Sequence, residues 1–165
     1  NTGDYAEDAP TGPLNAYGHA KLACEEGIRA IGPRHLILRT STVYGPEHQG
    51  KNFVYQLVRR LRAGQPFVVP SDQVASPSYG PDVADATIAL IDGGKTGTWH
   101  VAGPDALDRG AFAQLACEVF DLDPSGFETK ISAEYQTTRR PLQAALNTGK
   151  LRAEGIVMKS ARDGL

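Results

Sequence analysis

Tyr17 and Lys21, in the run Tyr17-Gly18-His19-Ala20-Lys21, are the two side chains best spaced for chemistry. Four residues apart on a helix, a phenol and an ammonium share one face, a turn from each other. A free phenol titrates near pH ~10, too high for efficient proton exchange at neutrality. A fixed positive charge beside it favours the phenolate and lowers that value. Such a pair can exchange a proton with a carbonyl or alcohol oxygen while hydride moves at the attached carbon. Lys21 can also hydrogen-bond the ribose hydroxyls of a nicotinamide cofactor. The bland alternative is a surface Tyr and Lys on an amphipathic helix, and the motif alone does not decide between the two.

The elements around the pair set its context. Residues 1–13 are rich in turn formers and read as an exposed loop. A helix follows from Leu14, with Ala20, Ala23, Cys24, Ile28 and Ile31 at helical spacing, and Gly32-Pro33 ends it. Residues 35–43 form a nearly unbroken apolar run, as expected of a strand buried in a parallel sheet. Further helices are predicted over 51–63, from Pro81 to Ile91, behind an Asp108 cap, and over 146–152. Strands are predicted over 66–69, 98–101 and 129–133, with an extended stretch over 74–79. Helices alternating with strands indicate an α/β fold. The first core strand comes only after a helix that itself needs an earlier strand to complete a crossover, which hints at a missing N-terminal half.

Several further motifs stand in a consistent order. The strand Leu36-Ile37-Leu38-Arg39-Thr40-Ser41 leads into Thr42-Val43-Tyr44-Gly45-Pro46. Gly50-Lys51-Asn52-Phe53-Val54, then Asp72-Gln73, Ser76-Pro77-Ser78-Tyr79 and Asp82-Val83-Ala84-Asp85-Ala86 come next. Arg139-Arg140-Pro141 and Ala145-Leu146-Asn147-Thr148 complete the series. Together with the YxxxK helix, these resemble the extended short-chain dehydrogenases/reductases, and among them the dTDP-4-dehydrorhamnose reductases, over nearly the whole chain.

That resemblance implies the C-terminal portion of an NAD(P)-binding Rossmann-like fold with its substrate-binding subdomain. Residues 1–47 would end the Rossmann-like domain. Residues 48–165 would be mostly the substrate-binding subdomain, with some segments returning to the Rossmann-like sheet. Tyr17 and Lys21 would be catalytic and contact the cofactor, NADPH or NADH, and Thr40, Ser41 and Thr42 would line the nicotinamide pocket. Lys51, Asn52 and Phe53 would approach the nucleotide diphosphate, with Asn52 as a helix cap and Phe53 as core the competing readings. Arg140, rather than Arg139, would grip the diphosphate. Asp72 and Gln73 are open between substrate contact and a turn.

The family's glycine-rich phosphate loop and its catalytic Ser/Thr are absent from these 165 residues. The run Gly93-Gly94-Lys95-Thr96-Gly97 is no substitute, because it joins a helix to a strand and lacks the earlier glycine. Taken alone, the piece is therefore expected to be inactive. Thr42 stands where the family usually has Trp, which leaves the choice of sugar open. The resemblance implies an NAD(P)H-dependent enzyme reducing a 4-keto nucleotide-sugar, dTDP-4-dehydrorhamnose to dTDP-rhamnose. An NAD-retaining epimerase or 4,6-dehydratase, or a non-catalytic regulatory subunit, are the alternatives.

Composition bounds the remaining classes. With 17 Lys plus Arg against 19 Asp plus Glu, the net charge of −2 argues against a dedicated nucleic-acid binder. No apolar run approaches the roughly 18 residues of a membrane span. Four scattered histidines predict no metal site. Cys24 and Cys117 read as buried free thiols of a cytoplasmic protein. The expected partners are a nucleotide-sugar and, through an unpaired sheet edge, a second copy of the chain as a homodimer.

Overall fold

A computed structural model describes residues 3–165. Helix α1 (Ala16–Ile31) begins at Asn15, whose side-chain oxygen accepts the Gly18 amide and satisfies one of the orphan donors of the first turn. It ends at Gly32. The apolar stripe on this helix is present as the spacing predicts, yet no residue of α1 is buried. Cys24 is exposed, against the expectation of two buried thiols, whereas Cys117 is buried. A periodic stripe tells which face can pack, and nothing about whether a partner covers it.

The predicted strand over 35–43 is two strands. β1 (Leu36–Arg39) and β2 (Val43–Tyr44) are separated at Thr42, whose φ of 46° breaks the extended backbone. Positive φ is costly for a β-branched residue, so the surrounding structure must hold it there. Helix α2 (Phe53–Arg62) buries Val54 and Leu57 and keeps Arg59, Arg60 and Arg62 in its last turn. β3 (Phe67–Pro70), β4 (Val74–Ala75) and β5 (Ser78–Tyr79) follow, so that the extended stretch over 74–79 serves two different sheets. Helix α3 (Gly80–Asp92), with Pro81 in its first turn, leads through the glycine-rich turn to β6 (Gly97–His100).

β7 (Leu107–Asp108) runs directly into α4 (Arg109–Phe120), and Asp108 accepts the Ala111 amide at 2.9 Å as its cap. β8 (Phe127–Lys130) ends earlier than predicted, because 132–134 turn into a short 3₁₀ helix. β9 (Gln143–Ala144), α5 (Gly149–Ala153) and α6 (Ala161–Gly164) complete the chain.

Among the described residues, four small sheets result. β1 pairs in parallel with β6, β2 with β5, and β3 with β8. The fourth has the order β7-β4-β9, with β4 antiparallel to β7 and parallel to β9. Three apolar clusters hold these pieces together. Leu90, Trp99, Val101 and Leu151 join α3, β6 and α5. Leu57, Val69, Ala113 and Cys117 join α2, β3 and α4. Tyr44, Val54, Phe112 and Ala161 link β2 to α2, α4 and α6. Each fully buried Leu or Phe contributes about 1.5–3 kcal/mol relative to exposure.

Candidate active site

A cleft of about 1400 Å³ opens at the C-terminal end of β1. Thr40 and Ser41 line it beyond the strand, and His100 lines it from the end of β6. Open α/β sheets place their ligands at the carboxyl ends of strands, where loops diverge. Residues 9–12 and Leu14, which lead into α1, form one wall, and residues 131–133 and 136–144 form the other. Arg139 and Arg140 both belong to that second wall and are exposed.

Tyr17 lies on the first turn of α1, three residues past Leu14, and is 73% exposed. The Lys21 ammonium is 5.5 Å from the centre of the Tyr17 ring, so the structure brings the pair together one turn apart. Neither side chain forms the cleft wall; they stand beyond its α1 rim. Thr42 also stays outside the wall, and its carbonyl accepts the Ser78 amide at 3.2 Å.

Of the residues expected near the substrate diphosphate, Arg140 lines the cleft, whereas Lys51, Asn52 and Phe53 do not. Asn52 is fully engaged in local structure: its side chain caps α2 through the Tyr55 amide at 3.1 Å and donates to the Gly45 carbonyl at 3.0 Å. Phe53 packs in the interior, stacked on Phe112 with ring centres 5.6 Å apart. Lys51 is exposed just ahead of this helix. Gln73 is buried and donates to Gln136 at 2.8 Å, so it holds the 131–142 wall from behind. Asp72 reinforces the same wall, accepting from the Ser132 amide at 3.0 Å and from its hydroxyl at 2.8 Å.

Other contacts of the site had no marker in the sequence. Asn15, besides capping α1, donates its Nδ2 to the Arg139 carbonyl at 2.8 Å, which ties the Tyr17 helix to the arginine loop. Arg39 binds Glu25 on α1 through two parallel bonds of 2.8 and 2.7 Å. The Arg39 guanidinium is the main reason the Glu25 carboxyl lies below its usual range, and burial opposes it. Two such bonds lock α1 to β1 where packing does not. His100 is buried, and its Nδ1 lies 3.1 Å from the Asn147 carbonyl, which a protonated Nδ1 would satisfy. Burial holds this imidazole below its ordinary range, while the Asn147 and Tyr5 backbone carbonyls pull the other way.

The family model described as the RmlD substrate binding domain matches residues 1–165. The chain belongs to that family. Among curated relatives, a probable low-salt glycan biosynthesis reductase of Haloferax volcanii is 32% identical over 156 residues, covering 92% of this chain and 52% of that one. The dTDP-4-dehydrorhamnose reductase of Mycolicibacterium smegmatis is 38% identical over 122 residues, covering 73% and 37%. The solved dTDP-4-dehydrorhamnose reductase of Bacillus anthracis, in complex with NADP, superposes with a TM-score of 0.89 at 26% identity, over 98% of this chain and 57% of that one. The fold is that of the Rossmann-like extended short-chain dehydrogenases/reductases. The chain spans about half the length of the curated relatives it matches. Among the described residues, no helix is long and apolar enough to cross a membrane.

Proposed function

We propose that this chain supplies the proton-donating pair and the substrate-binding part of an NAD(P)H-dependent nucleotide-sugar reductase that converts dTDP-4-dehydrorhamnose to dTDP-rhamnose. The observation that carries the reading is the Tyr17–Lys21 pair at the rim of a cleft with Thr40, Ser41, Arg139 and Arg140 in its walls, in a member of the RmlD family. Residues 1–47 end the dinucleotide-binding part and 48–165 mostly form the sugar-nucleotide part. The parallel pairing of β6 with β1 supports a return of part of 48–165 to the Rossmann-like sheet.

The residues fit a nicotinamide cofactor at this rim. Tyr17 is open to solvent, with an ammonium beside it and hydroxyls at the end of β1. When bound, the cofactor supplies two electrons as hydride to the sugar carbonyl carbon. Tyr17 gives its phenolic proton to the carbonyl oxygen, which completes the alcohol. Lys21 favours the resulting phenolate and holds the cofactor ribose. Arg140 orients the substrate from the opposite wall through its diphosphate. A cytoplasmic enzyme would meet both the reduced cofactor and the nucleotide-sugar.

The test is Tyr17→Phe in the enzyme that contains this chain. Turnover of dTDP-4-dehydrorhamnose is expected to fall about 10²–10⁴-fold with cofactor affinity unchanged. Each turnover of the unaltered enzyme should consume one NAD(P)H. Undiminished turnover in the variant removes Tyr17 from the mechanism, and turnover without net cofactor consumption makes the enzyme an epimerase or dehydratase instead.

A further inference from the structure

Residues 4–9 alternate in exposure: Tyr5, Glu7 and Ala9 are half-buried, and Asp4, Ala6 and Asp8 are exposed. A period of two marks an extended segment lying on a surface. Tyr5 bridges in parallel to Leu146, its amide donating to the Ala145 carbonyl at 3.1 Å and its carbonyl accepting the Asn147 amide at 2.8 Å. Two residues on, Glu7 crosses the paired ends of β1 and β6. The Gly97 and Val101 amides point toward β1 and donate to the His35 and Arg39 carbonyls. Alternation along a strand turns the His100 amide to the other edge of β6, where no strand pairs among the described residues. There Oε1 of Glu7 accepts it at 3.1 Å, in place of a neighbouring strand. The Glu7 carbonyl accepts Nη1 of Arg39, at the end of β1, at 3.3 Å.

From Glu7 the chain reaches the reacting pair without an apolar anchor. Residues 9–12 and Leu14 form the cleft wall, Asn15 caps α1, and Tyr17 stands on its first turn. Among the described residues, none from 8 to 17 is buried. The wall is therefore placed by polar ties at its two ends, Glu7 to His100 at one and Asn15 to the Arg139 carbonyl at the other. Arg39 couples the same two elements again. Its guanidinium donates to the Glu7 carbonyl and holds Glu25 of α1 through two further bonds. Glu7 itself does not line the cleft, so it acts on the site through the wall it carries.

We infer that Glu7 is a positioning residue, whose carboxylate fixes the strap of residues 5–12 across the strand ends and thereby sets where Tyr17 meets the substrate carbonyl. The catalytic consequence rests on the reductase reading above; the anchoring of the strap does not. Because its partner is a backbone amide, Glu7 needs an acceptor oxygen for this task and not a negative charge. A reacting group displaced by about 1 Å can cost about 10²-fold in rate, so slack in the strap is read in turnover.

Glu7→Ala and Glu7→Gln, made in the enzyme that contains this chain, test the inference. With dTDP-4-dehydrorhamnose and NADPH, Glu7→Ala is expected to lower kcat about tenfold or more while KM for either shifts less than about threefold. Glu7→Gln, whose amide oxygen can accept the same bond, should bring kcat back to within about threefold of the unaltered enzyme. Hydrogen exchange gives the second readout. In Glu7→Ala the amides of residues 5–12 and of His100 should exchange faster, while those of α3 and α4 stay as protected as before. A kcat in Glu7→Ala within about twofold of normal overturns the inference, and so does a Gln variant as slow as the Ala variant. Unchanged exchange along 5–12 overturns the anchoring itself. Protection lost throughout, α3 and α4 included, also overturns it, because Glu7 would then hold the fold and not the wall. If the unaltered enzyme does not reduce the sugar, the reductase reading falls and the exchange comparison still decides whether Glu7 anchors the strap.

Discussion

Asn15 and Arg139, 124 residues apart, meet through one hydrogen bond of 2.8 Å that joins the start of the Tyr17 helix to the loop carrying Arg140. The same Asn15 side chain accepts the Gly18 amide, so one residue serves as helix cap and as tie. Asn15→Asp separates the two roles, because a carboxylate accepts from Gly18 and cannot donate to Arg139. Amide exchange is expected to leave the first turn of α1 protected in Asn15→Asp while exchange along 136–141 rises. Asn15→Ala should lose both, at about 1 kcal/mol for the cap. Unchanged exchange along 136–141 in the Asp variant would show that the tie does not hold the loop.

The Glu25–Arg39 pair predicts a specific acid sensitivity. Glu25 has a carboxyl held below its usual range by Arg39, so its contribution is complete above the unfolded value, near 4.5, and fades as the pH falls toward the folded value. Thermal unfolding between pH ~6 and ~3 should show this loss in the unaltered chain, worth about 2 kcal/mol for two bonds to charged groups. Glu25→Gln is expected to be less stable at pH 7 and flatter through the acid range. A variant with the same acid slope as the unaltered chain would assign that slope to other carboxylates.

The parts of the fold governed by local signals were legible in the sequence, and those governed by pairing were not. Asp108 and Pro81 announce their helices because caps and first-turn prolines act within a few residues. β4, β5, β7 and β9 are two residues each, and only their partners make them strands. At the site, Tyr17 and Lys21 were visible because a helix converts spacing into proximity. Asn52 carried two readings, and the structure displays its capping bonds. The enclosure of Arg109 Nη1 gave no signal, since it arises from tertiary packing that includes the Phe53 ring. Nothing in the local sequence distinguishes Arg109 from an ordinary arginine at the start of a helix.

Gly103 has no room for a side chain. A Cβ built there would overlap the Pro77 carbonyl oxygen, which is backbone and cannot turn aside. Its amide also donates to the Ser78 hydroxyl at 3.1 Å, beside the junction of β2 and β5. Gly103→Ala is expected to cost about 3 kcal/mol in urea unfolding. A change below about 0.5 kcal/mol would mean that the segment yields more readily than its buried setting suggests.

No residue of α1 is buried among the described residues. The three apolar clusters that hold the sheets together include no residue of that helix. Its attachments are polar and few: Asn15 at one end, and Glu25 with Arg29 toward the other. Exchanges at Tyr17, 73% exposed, or at Lys21 therefore leave all three clusters intact and read out the chemistry proposed for the pair separately from the packing of the sheets.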